Sequence, residues 1–158
     1  RHGAIKKHYH QIEGINSRLD GLQAAILLAK LPHIIKWTNK RIENAKIYID
    51  LFQNTNCPVQ IPKIRKTSKH TFHLFVIRVA NRDEIQRHFK EREIETGIHY
   101  PIPLHKQPAL ISLFGSQSLP ITEKLSAEII SIPIHPHLSE SQVEYITETF
   151  LEIACPQG

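Results

Sequence analysis

A short polar turn precedes an amphipathic stretch near the start of the chain. Its sequence is Gly14-Ile15-Asn16-Ser17-Arg18-Leu19-Asp20-Gly21. The first turn of a helix has unpaired N–H groups and the positive end of the helix dipole, so it attracts anions. Asn16 and Arg18 beside such a turn are candidate ligands for a phosphate. The structural alternative is that Asn16 or Ser17 only caps the helix and that Arg18 pairs with a surface carboxylate.

A second polar segment combines histidines and a tyrosine with two prolines. It reads His99-Tyr100-Pro101-Ile102-Pro103-Leu104-His105. Each proline fixes φ, which lowers the entropy lost when the loop presents side chains to a ligand. The segment therefore predicts a pocket-lining loop. An imidazole that titrates near neutrality can donate to a phosphate or a sugar hydroxyl, so His105 is a candidate contact. The alternative is a histidine satisfied by a backbone carbonyl.

Other kinds of chemistry have weak signatures. The pairs His8/His10 and His135/His137 lack a third Cys, Asp or Glu ligand at a recognised spacing, so we predict no metal site. The sequence has neither a GxSxG nucleophile motif nor a phosphate-cradling glycine loop. A basic run within residues 63–69 has one aromatic neighbour, which favours a solvated connector over a nucleic-acid patch.

Helical periodicity predicts the element that follows the first turn. Apolar residues recur at helical spacing from Leu19 to Phe52, with Pro32 as an expected break or kink. Ser17 and Asp20 form a weak capping box at its start. Residues 1–13 lack a clear period and indicate a loop.

The second half of the chain alternates strand and helix signals. After an irregular connector over residues 54–69, residues 71–79 are apolar on both faces and predict an inner strand. Asn81 and Glu84 suggest a capping box for a helix that buries Ile85 and Phe89.

Residues 95–104 predict a short strand that runs into a loop. Residues 118–129 predict a helix that includes Ile129, and residues 132–136 an extended link. Ser139 and Gln142 form the capping box of a last helix, and the whole predicts an α+β subdomain after a long helix.

Composition places the chain among ordinary globular proteins. It has 158 residues, 41% hydrophobic and 22% charged, and a net charge of +5. That charge suits polyanions, phosphate-bearing small molecules or solubility alone. Since the sequence has no apolar run of roughly twenty residues and no leader pattern, we expect a cytoplasmic protein.

Two further features of the composition lead to predictions. The absence of methionine in a chain that begins at Arg1 suggests that these residues belong to a longer product. Cys57 and Cys155 are far apart in sequence and form no CxxC motif, so we expect free thiols in a reducing compartment.

Several segments occur in an order typical of one enzyme family. They are Arg1-His2-Gly3, Lys7-His8-Tyr9-His10, Gly14–Ala25, Trp37 with Lys40-Arg41 and Asn44-Ala45, His73–Val76, Thr96–Pro108, Ile132–Pro136 and the helix after Ser139. Together they cover nearly the full chain. The sequence thereby resembles the C-terminal portion of the DegT/DnrJ/EryC1/StrS sugar aminotransferases. That family uses pyridoxal phosphate (PLP) to aminate keto sugars on nucleotide carriers in polysaccharide biosynthesis.

The resemblance implies an α+β fold, namely the C-terminal subdomain of a fold type I PLP aminotransferase. This subdomain would have a long linking helix followed by a small sheet packed with helices. Residues 1–55 would be the end of the large domain, the active-site turn and the linking helix. Residues 56–158 would be the small C-terminal α/β domain. The family also implies a homodimer with shared active sites, in which Asn16 contacts the cofactor phosphate of the partner subunit and Arg18 lies near the same interface.

The substrate side of the site follows from the same resemblance. The loop from His99 to His105 borders the nucleotide-sugar pocket in such enzymes, which implies contacts from His105, Tyr100 and His99. Tyr9 and His10 match a stretch near the shared site. The amino donor implied by the family is glutamate.

The catalytic residues of the family have no counterpart in this sequence. The Schiff-base lysine, the acidic partner of the pyridine nitrogen and a glycine-rich segment are all expected before Arg1. Transamination needs that lysine, so we expect the 158-residue chain alone to be inactive. Three alternatives stay open: a sugar dehydratase of the same family that uses pyridoxamine phosphate (PMP), a stand-alone dimerising or binding module from a split or truncated gene, and a basic nucleic-acid-binding domain.

Overall fold

The computed structural model describes residues 4–6, 9–10 and 19–155, with the backbone alone described at residues 4–6, 9–10, 109 and 112. The chain divides into two compact units, residues 1–35 and 36–158. In the first unit, strand β1 (Ala4–Lys6) pairs antiparallel with strand β2 (Tyr9–His10). This pairing corrects the expectation of a loop at residues 4–6 and 9–10, because strands of two and three residues are too short to show an alternating pattern.

Helix α1 (Gly21–Lys30) begins directly after Asp20, which has an extended backbone and is the N-cap. The Asp20 carboxylate accepts a hydrogen bond from the backbone N–H of Leu22 at 2.8 Å. The capping box expected from Ser17 and Asp20 is therefore wrong, since Asp20 occupies the cap position and not the third helical position. No residue of α1 is buried, and Leu22 and Leu28 each expose 71% of their surface.

Pro32 interrupts the helical pattern as predicted. A 3-10 turn (Leu31–His33) lies between α1 and helix α2 (Ile34–Gln53). Proline has no N–H with which to continue the α-helical hydrogen bonds, so the pattern changes there. The part of α2 after residue 40 buries one face, which consists of Asn44, Ala45, Tyr48 and Phe52.

The sheet of the second unit has two strands, β3 (Phe75–Arg78) and β4 (Ile129–Ile132). They pair antiparallel, with Phe75 opposite Ile132 and Arg78 opposite Ile129. Isolated bridges extend the sheet on both sides, because Gln60 pairs with Arg78 and Gly97 pairs with Ser131. The predicted inner strand is therefore confirmed over a shorter range. Ile129 belongs to β4 and not to the preceding helix, which corrects the sequence expectation.

Helices α3 (Arg82–Glu91) and α6 (Glu140–Ala154) pack on each other. Ile85 and Phe89 are buried in α3 as predicted. The capping box of Ser139 and Gln142 is confirmed at the start of α6. The capping box expected at Asn81 is wrong, because Asn81 has φ −99° and ψ 45°, outside the extended conformation of a side-chain cap, and its side chain makes no cap bond.

Aromatic side chains connect α2, the sheet and α6 in one core. The Tyr48 and Phe75 ring centroids are 5.0 Å apart, and those of Phe52 and Phe150 are 5.2 Å apart at 88°. Tyr48, Phe75 and Phe150 have no exposed surface. Such edge-to-face and tilted pairs add to the free energy of burying the rings.

Two short helices and a 3-10 turn follow residue 103. The 3-10 turn covers Leu104–Lys106, helix α4 covers Pro108–Phe114 and helix α5 covers Pro120–Glu128. Proline is at the first position of α4 and α5, where its missing N–H costs nothing. The apolar face predicted for α5 is not buried, since Ile121 is 78% exposed. Among the helices of the described residues, none is long and apolar enough to cross a membrane.

Cys57 and Cys155 form a disulfide, which corrects the expectation of two free thiols. The loop after α2 and the end of α6 meet, so the two Cα atoms are 5.6 Å apart. This distance is within the range that a disulfide spans. No local sequence signal indicates this bond, because 98 residues separate the two cysteines.

Candidate functional site

The loop of residues 99–105 is attached at its first end to β4. The His99 Nδ1 atom lies 2.9 Å from the Ser131 Oγ atom. Gly97 and Ser131 exchange two backbone hydrogen bonds of 3.0 and 2.7 Å just before the loop. A Cβ atom on Gly97 would lie 2.7 Å from the His99 Cε1 atom, closer than carbon atoms approach. The absence of a side chain at Gly97 therefore lets the His99 ring lie over the backbone.

The second end of the loop is attached to α5 through Glu123. The Glu123 Oε1 atom lies 3.0 Å from His105 Nε2, 3.3 Å from Lys106 Nζ and 2.9 Å from the Leu119 backbone N. The His105 side chain is only 10% exposed, whereas the Glu123 side chain is 35% exposed. One carboxylate oxygen thus meets three donors from two chain segments.

These donors strongly lower the pKa of the Glu123 carboxyl group. The hydrogen bond with His105, followed by that from the Leu119 N–H and the effect of Lys106, lowers the pKa of Glu123 to about 2. Each donor favours the charged form of the carboxylate. Glu123 is therefore ionised throughout the neutral pH range.

A recess of about 440 Å³ lies between the loop and α5. Tyr100 to Leu104 form one wall, and Thr122, Leu125 and Ser126 of α5 form much of the other. A second recess of about 500 Å³ adjoins it, lined by residues that include His105, Leu110 and Phe114. The two recesses share Leu104 and Thr122.

The lining of the first recess is mainly apolar, with polar groups from Gln107, Thr122 and Ser126. Such a surface suits a ligand with an apolar face and a few hydroxyl or amide groups. Among the described residues that line it there is no basic side chain to pair with a phosphate. These residues alone therefore do not fit PLP, whose phosphate needs cationic or N–H donors.

Three of the predicted site residues lie together in the structure. The side chains of the other four lie outside its described part. His99, Tyr100 and His105 share the loop, but both histidine rings bond to the scaffold, and Tyr100 is 75% exposed. Asn16 and Arg18 lie outside the described residues. Tyr9 and His10 are in β2, where only the backbone is described.

Sequence reasoning missed Glu123 and Ser131. A signal for Glu123 existed, because Pro120 marks the first helical position and places a carboxylate three residues later in the first turn. Ser131 had no local signal, since its partner His99 is 32 residues away. Among the described residues, no group of three His, Cys, Asp or Glu side chains could hold a metal ion.

Polar side chains of α2 hold the link that follows β4. Asn44 donates to the carbonyls of His135 and Leu138 at 3.1 and 3.2 Å, and the Tyr48 hydroxyl donates to the carbonyl of Pro133 at 3.0 Å. Arg41 donates to the carbonyl of Ile134. The motif residues of α2 and of the link therefore bond to each other. Their contacts are structural.

Burial, assisted by His137 and Arg41, lowers the pKa of His135 in the same link. The His137 N–H donates to the His135 Nδ1 atom at 3.2 Å. Because desolvation and the electrostatic effects of His137 and Arg41 disfavour the charged form, His135 is a neutral acceptor at physiological pH. This agrees with a structural role for the His135/His137 pair.

The small antiparallel sheet packed with α2, α3 and α6 fits the C-terminal subdomain of fold type I, PLP-dependent sugar aminotransferases. The profile of the DegT/DnrJ/EryC1/StrS aminotransferase family matches residues 1–151, and the chain belongs to this family. The α+β prediction and the resemblance are confirmed.

Individual relatives agree with this assignment. The chain is 41% identical over 153 residues to a pleiotropic regulatory protein of Geobacillus stearothermophilus, covering 96% of this chain and 41% of the relative. It is 40% identical over 147 residues to dTDP-3-amino-3,6-dideoxy-alpha-D-galactopyranose transaminase of Aneurinibacillus thermoaerophilus, covering 93% and 40%. The crystal structure of S. venezuelae DesV in complex with a ketimine intermediate superposes with a TM-score of 0.86 at 32% identity, over 99% of this chain and 42% of DesV.

The chain spans about 40% of the length of the curated relatives that it matches. Aminotransferases of this family depend on PLP. The structure of NtdA from Bacillus subtilis, with bound cofactor PMP, superposes with a TM-score of 0.80 at 27% identity, over 97% of this chain and 37% of NtdA.

Proposed function

We propose that these residues are the C-terminal part of a PLP-dependent aminotransferase that transfers an amino group, from a donor such as glutamate, to a keto sugar on a nucleotide carrier. The observation that carries the proposal is the family match over residues 1–151. The relative from Aneurinibacillus, named as a transaminase of a dTDP-linked amino sugar, supports the substrate class. The cytoplasm is the proposed location, where the Cys57–Cys155 bond would have to persist against cellular reductants.

The cofactor phosphate is proposed to meet Asn16 and Arg18. PLP supplies the electron sink of the reaction, and the protein supplies binding, orientation and a lysine amine. That lysine is assigned to a part of the enzyme outside these residues, which amount to about 40% of the matched relatives. The 158-residue chain alone is therefore expected to be inactive.

The described residues act in substrate binding. The loop from His99 to His105 lies over a recess with an apolar lining, which excludes water from a sugar or base placed there. Tyr100 is 75% exposed and is free to contact such a ligand. Tyr9 and His10 complete the proposed substrate contacts.

A homodimer with shared active sites is proposed. Apolar side chains along the first unit are widely exposed, among them Leu22, Leu28 and Ile35 at 71, 71 and 68%. Exposed apolar patches of this kind mark interaction surfaces. Residues 1–55 are assigned to the end of the large domain with the active-site turn and linking helix, and residues 56–158 to the small domain.

The first measurement is the intact mass of the natural polypeptide that contains these residues, with peptide sequencing before Arg1. A longer chain with a lysine ahead of a glycine-rich stretch supports transamination. Histidine at that position supports the dehydratase. A product that starts near Arg1 supports a binding module.

The activity test uses that natural chain with PLP. In the reverse direction, dTDP-3-amino-3,6-dideoxy-α-D-galactopyranose and 2-oxoglutarate should yield glutamate and the keto sugar. The 158-residue chain serves as the matched control and should give no glutamate. Loss of water from the sugar without amino transfer, or no reaction with dTDP-, UDP- or GDP-linked amino sugars, contradicts the proposal.

A further inference from the structure

We propose that Glu123 is a positioning residue that orients the imidazole of His105 and holds the wall of residues 100–104 over the recess. The kinetic part of this inference rests on the proposed function. The structural part, the tether of the loop to α5, does not.

Three hydrogen-bond donors converge on one oxygen of the Glu123 carboxylate. His105 Nε2, Lys106 Nζ and the Leu119 N lie 3.0, 3.3 and 2.9 Å from the same oxygen. Hydrogen bonds to an ionised acceptor are roughly twice as strong as bonds between neutral groups. The depressed pKa of Glu123 agrees with this arrangement.

His105 depends on this contact more than Lys106 does. Its side chain is 10% exposed, whereas that of Lys106 is 37% exposed. If the pair breaks, the nearly buried ring nitrogen has neither a protein partner nor water to bond to. Breaking the pair is therefore unfavourable. The ionised carboxylate accepts from the Nε2–H group, which orients the ring and leaves Nδ1 as the ring nitrogen for other contacts.

The pair also sits where it controls the recess. His105 directly follows Leu104, and Glu123 directly follows Thr122. Leu104 and Thr122 are the two residues that line both recesses. The contact between His105 and Glu123 therefore sets the distance between the two walls.

The other end of the wall is held independently, by the contact of His99 with Ser131 at 2.9 Å. Between the two anchors, Pro101 and Pro103 restrict the backbone. Removal of the Glu123 charge therefore should loosen the His105 end and leave the His99 end attached.

Glu123→Gln separates positioning from simple support of α5. The amide oxygen of glutamine can still accept from the Leu119 N–H, but the charge that orients His105 is lost. Glu148→Gln is the matched control, because Glu148 is an exposed glutamate in the middle of α6, away from the recess.

The first readout is hydrogen exchange in the natural full-length chain, which needs no substrate. Exchange at the amides of Lys106 and Gln107, which donate to the carbonyls of Pro103 and Leu104 at 2.9 and 3.0 Å, should be about tenfold faster in Glu123→Gln. Exchange within α5 and throughout Glu148→Gln should be unchanged. Equal loosening of α5 and the loop, or no change in the loop, overturns the tether.

The second readout is the reverse transamination with the dTDP-linked amino sugar. In Glu123→Gln the KM for the amino sugar should rise about tenfold while the KM for 2-oxoglutarate and kcat stay unchanged. A lowered kcat with unchanged KM overturns the positioning role. If the wild-type chain shows no transamination, the proposed function fails, and hydrogen exchange alone decides the tether.

Discussion

Replacement of Tyr48 by phenylalanine should change stability in opposite directions at neutral and alkaline pH. The Tyr48 ring has no exposed surface, and its hydroxyl donates to the carbonyl of Pro133 at 3.0 Å. Tyr48→Phe keeps the ring packing against Phe75 and removes only this bond. At pH 7 the loss of one hydrogen bond to a part-buried carbonyl should lower the free energy of unfolding by about 1 kcal/mol.

At high pH the sign reverses because burial raises the pKa of Tyr48 well above its ordinary value. The unfolded chain then releases the phenol proton near pH 10, whereas the folded chain keeps it. Since the folded state binds more protons in this range, stability falls as pH rises, by about 1.4 kcal/mol between pH 7 and pH 11 for one such group. Phenylalanine has no proton to lose, so the variant should be the more stable chain by about 0.4 kcal/mol at pH 11.

Urea unfolding followed by circular dichroism at pH 7, 9 and 11 measures the difference between the two chains. Tyr145→Phe is the control, because Tyr145 is 45% exposed and its hydroxyl lies 3.5 Å from the carbonyl of Arg92. Its difference from wild type should stay below about 0.5 kcal/mol at every pH. A Tyr48→Phe difference that is constant from pH 7 to pH 11 would refute the reasoning.

Three further predictions concern the site and the disulfide. Gly97→Ala should displace the His99 ring and lower the melting temperature, because the new Cβ would lie 2.7 Å from Cε1. Gly21→Ala, whose Cβ meets nothing within 4 Å, is the control and should leave the melting temperature unchanged. Glu123 has a folded pKa of about 2, below its unfolded value, so its contribution is present above about pH 4.3 and lost as pH falls toward 2. The difference in melting temperature between wild type and Glu123→Gln should shrink over that interval, and a constant difference contradicts it. Non-reducing peptide mapping should recover Cys57 linked to Cys155, whereas two alkylated thiols in the untreated protein would show that the bond is absent. Reduction should lower stability by about 4.7 kcal/mol for a loop of this length.

The elements that the sequence predicted well carry their signals locally. The capping box of α6 uses Ser139 and Gln142, three residues apart, and the buried face of α3 repeats within one helix. Pro32 acts on its own turn. Each of these depends on neighbours in sequence, which a periodicity argument can read.

Strand β4 escaped prediction because its identity depends on a distant partner. Ile129, Ile130 and Ile132 continue the apolar pattern of α5, so a helix fits them equally well. Their pairing with Phe75–Arg78 spans about fifty residues and decides the matter. The Cys57–Cys155 bond and the His99–Ser131 contact were missed for the same reason.

The loop at residues 99–105 shows why a predicted site residue can keep its place and change its chemistry. The sequence offered His105 as a donor to a phosphate or a sugar hydroxyl. In the structure its Nε2 atom faces the ionised Glu123 carboxylate, so the Nε2–H proton is already used. Nδ1 is then the ring nitrogen that remains for a ligand. A sugar hydroxyl can either donate to that nitrogen or accept from it, whereas a phosphate oxygen can only accept, so the contact suits the sugar part of a nucleotide sugar.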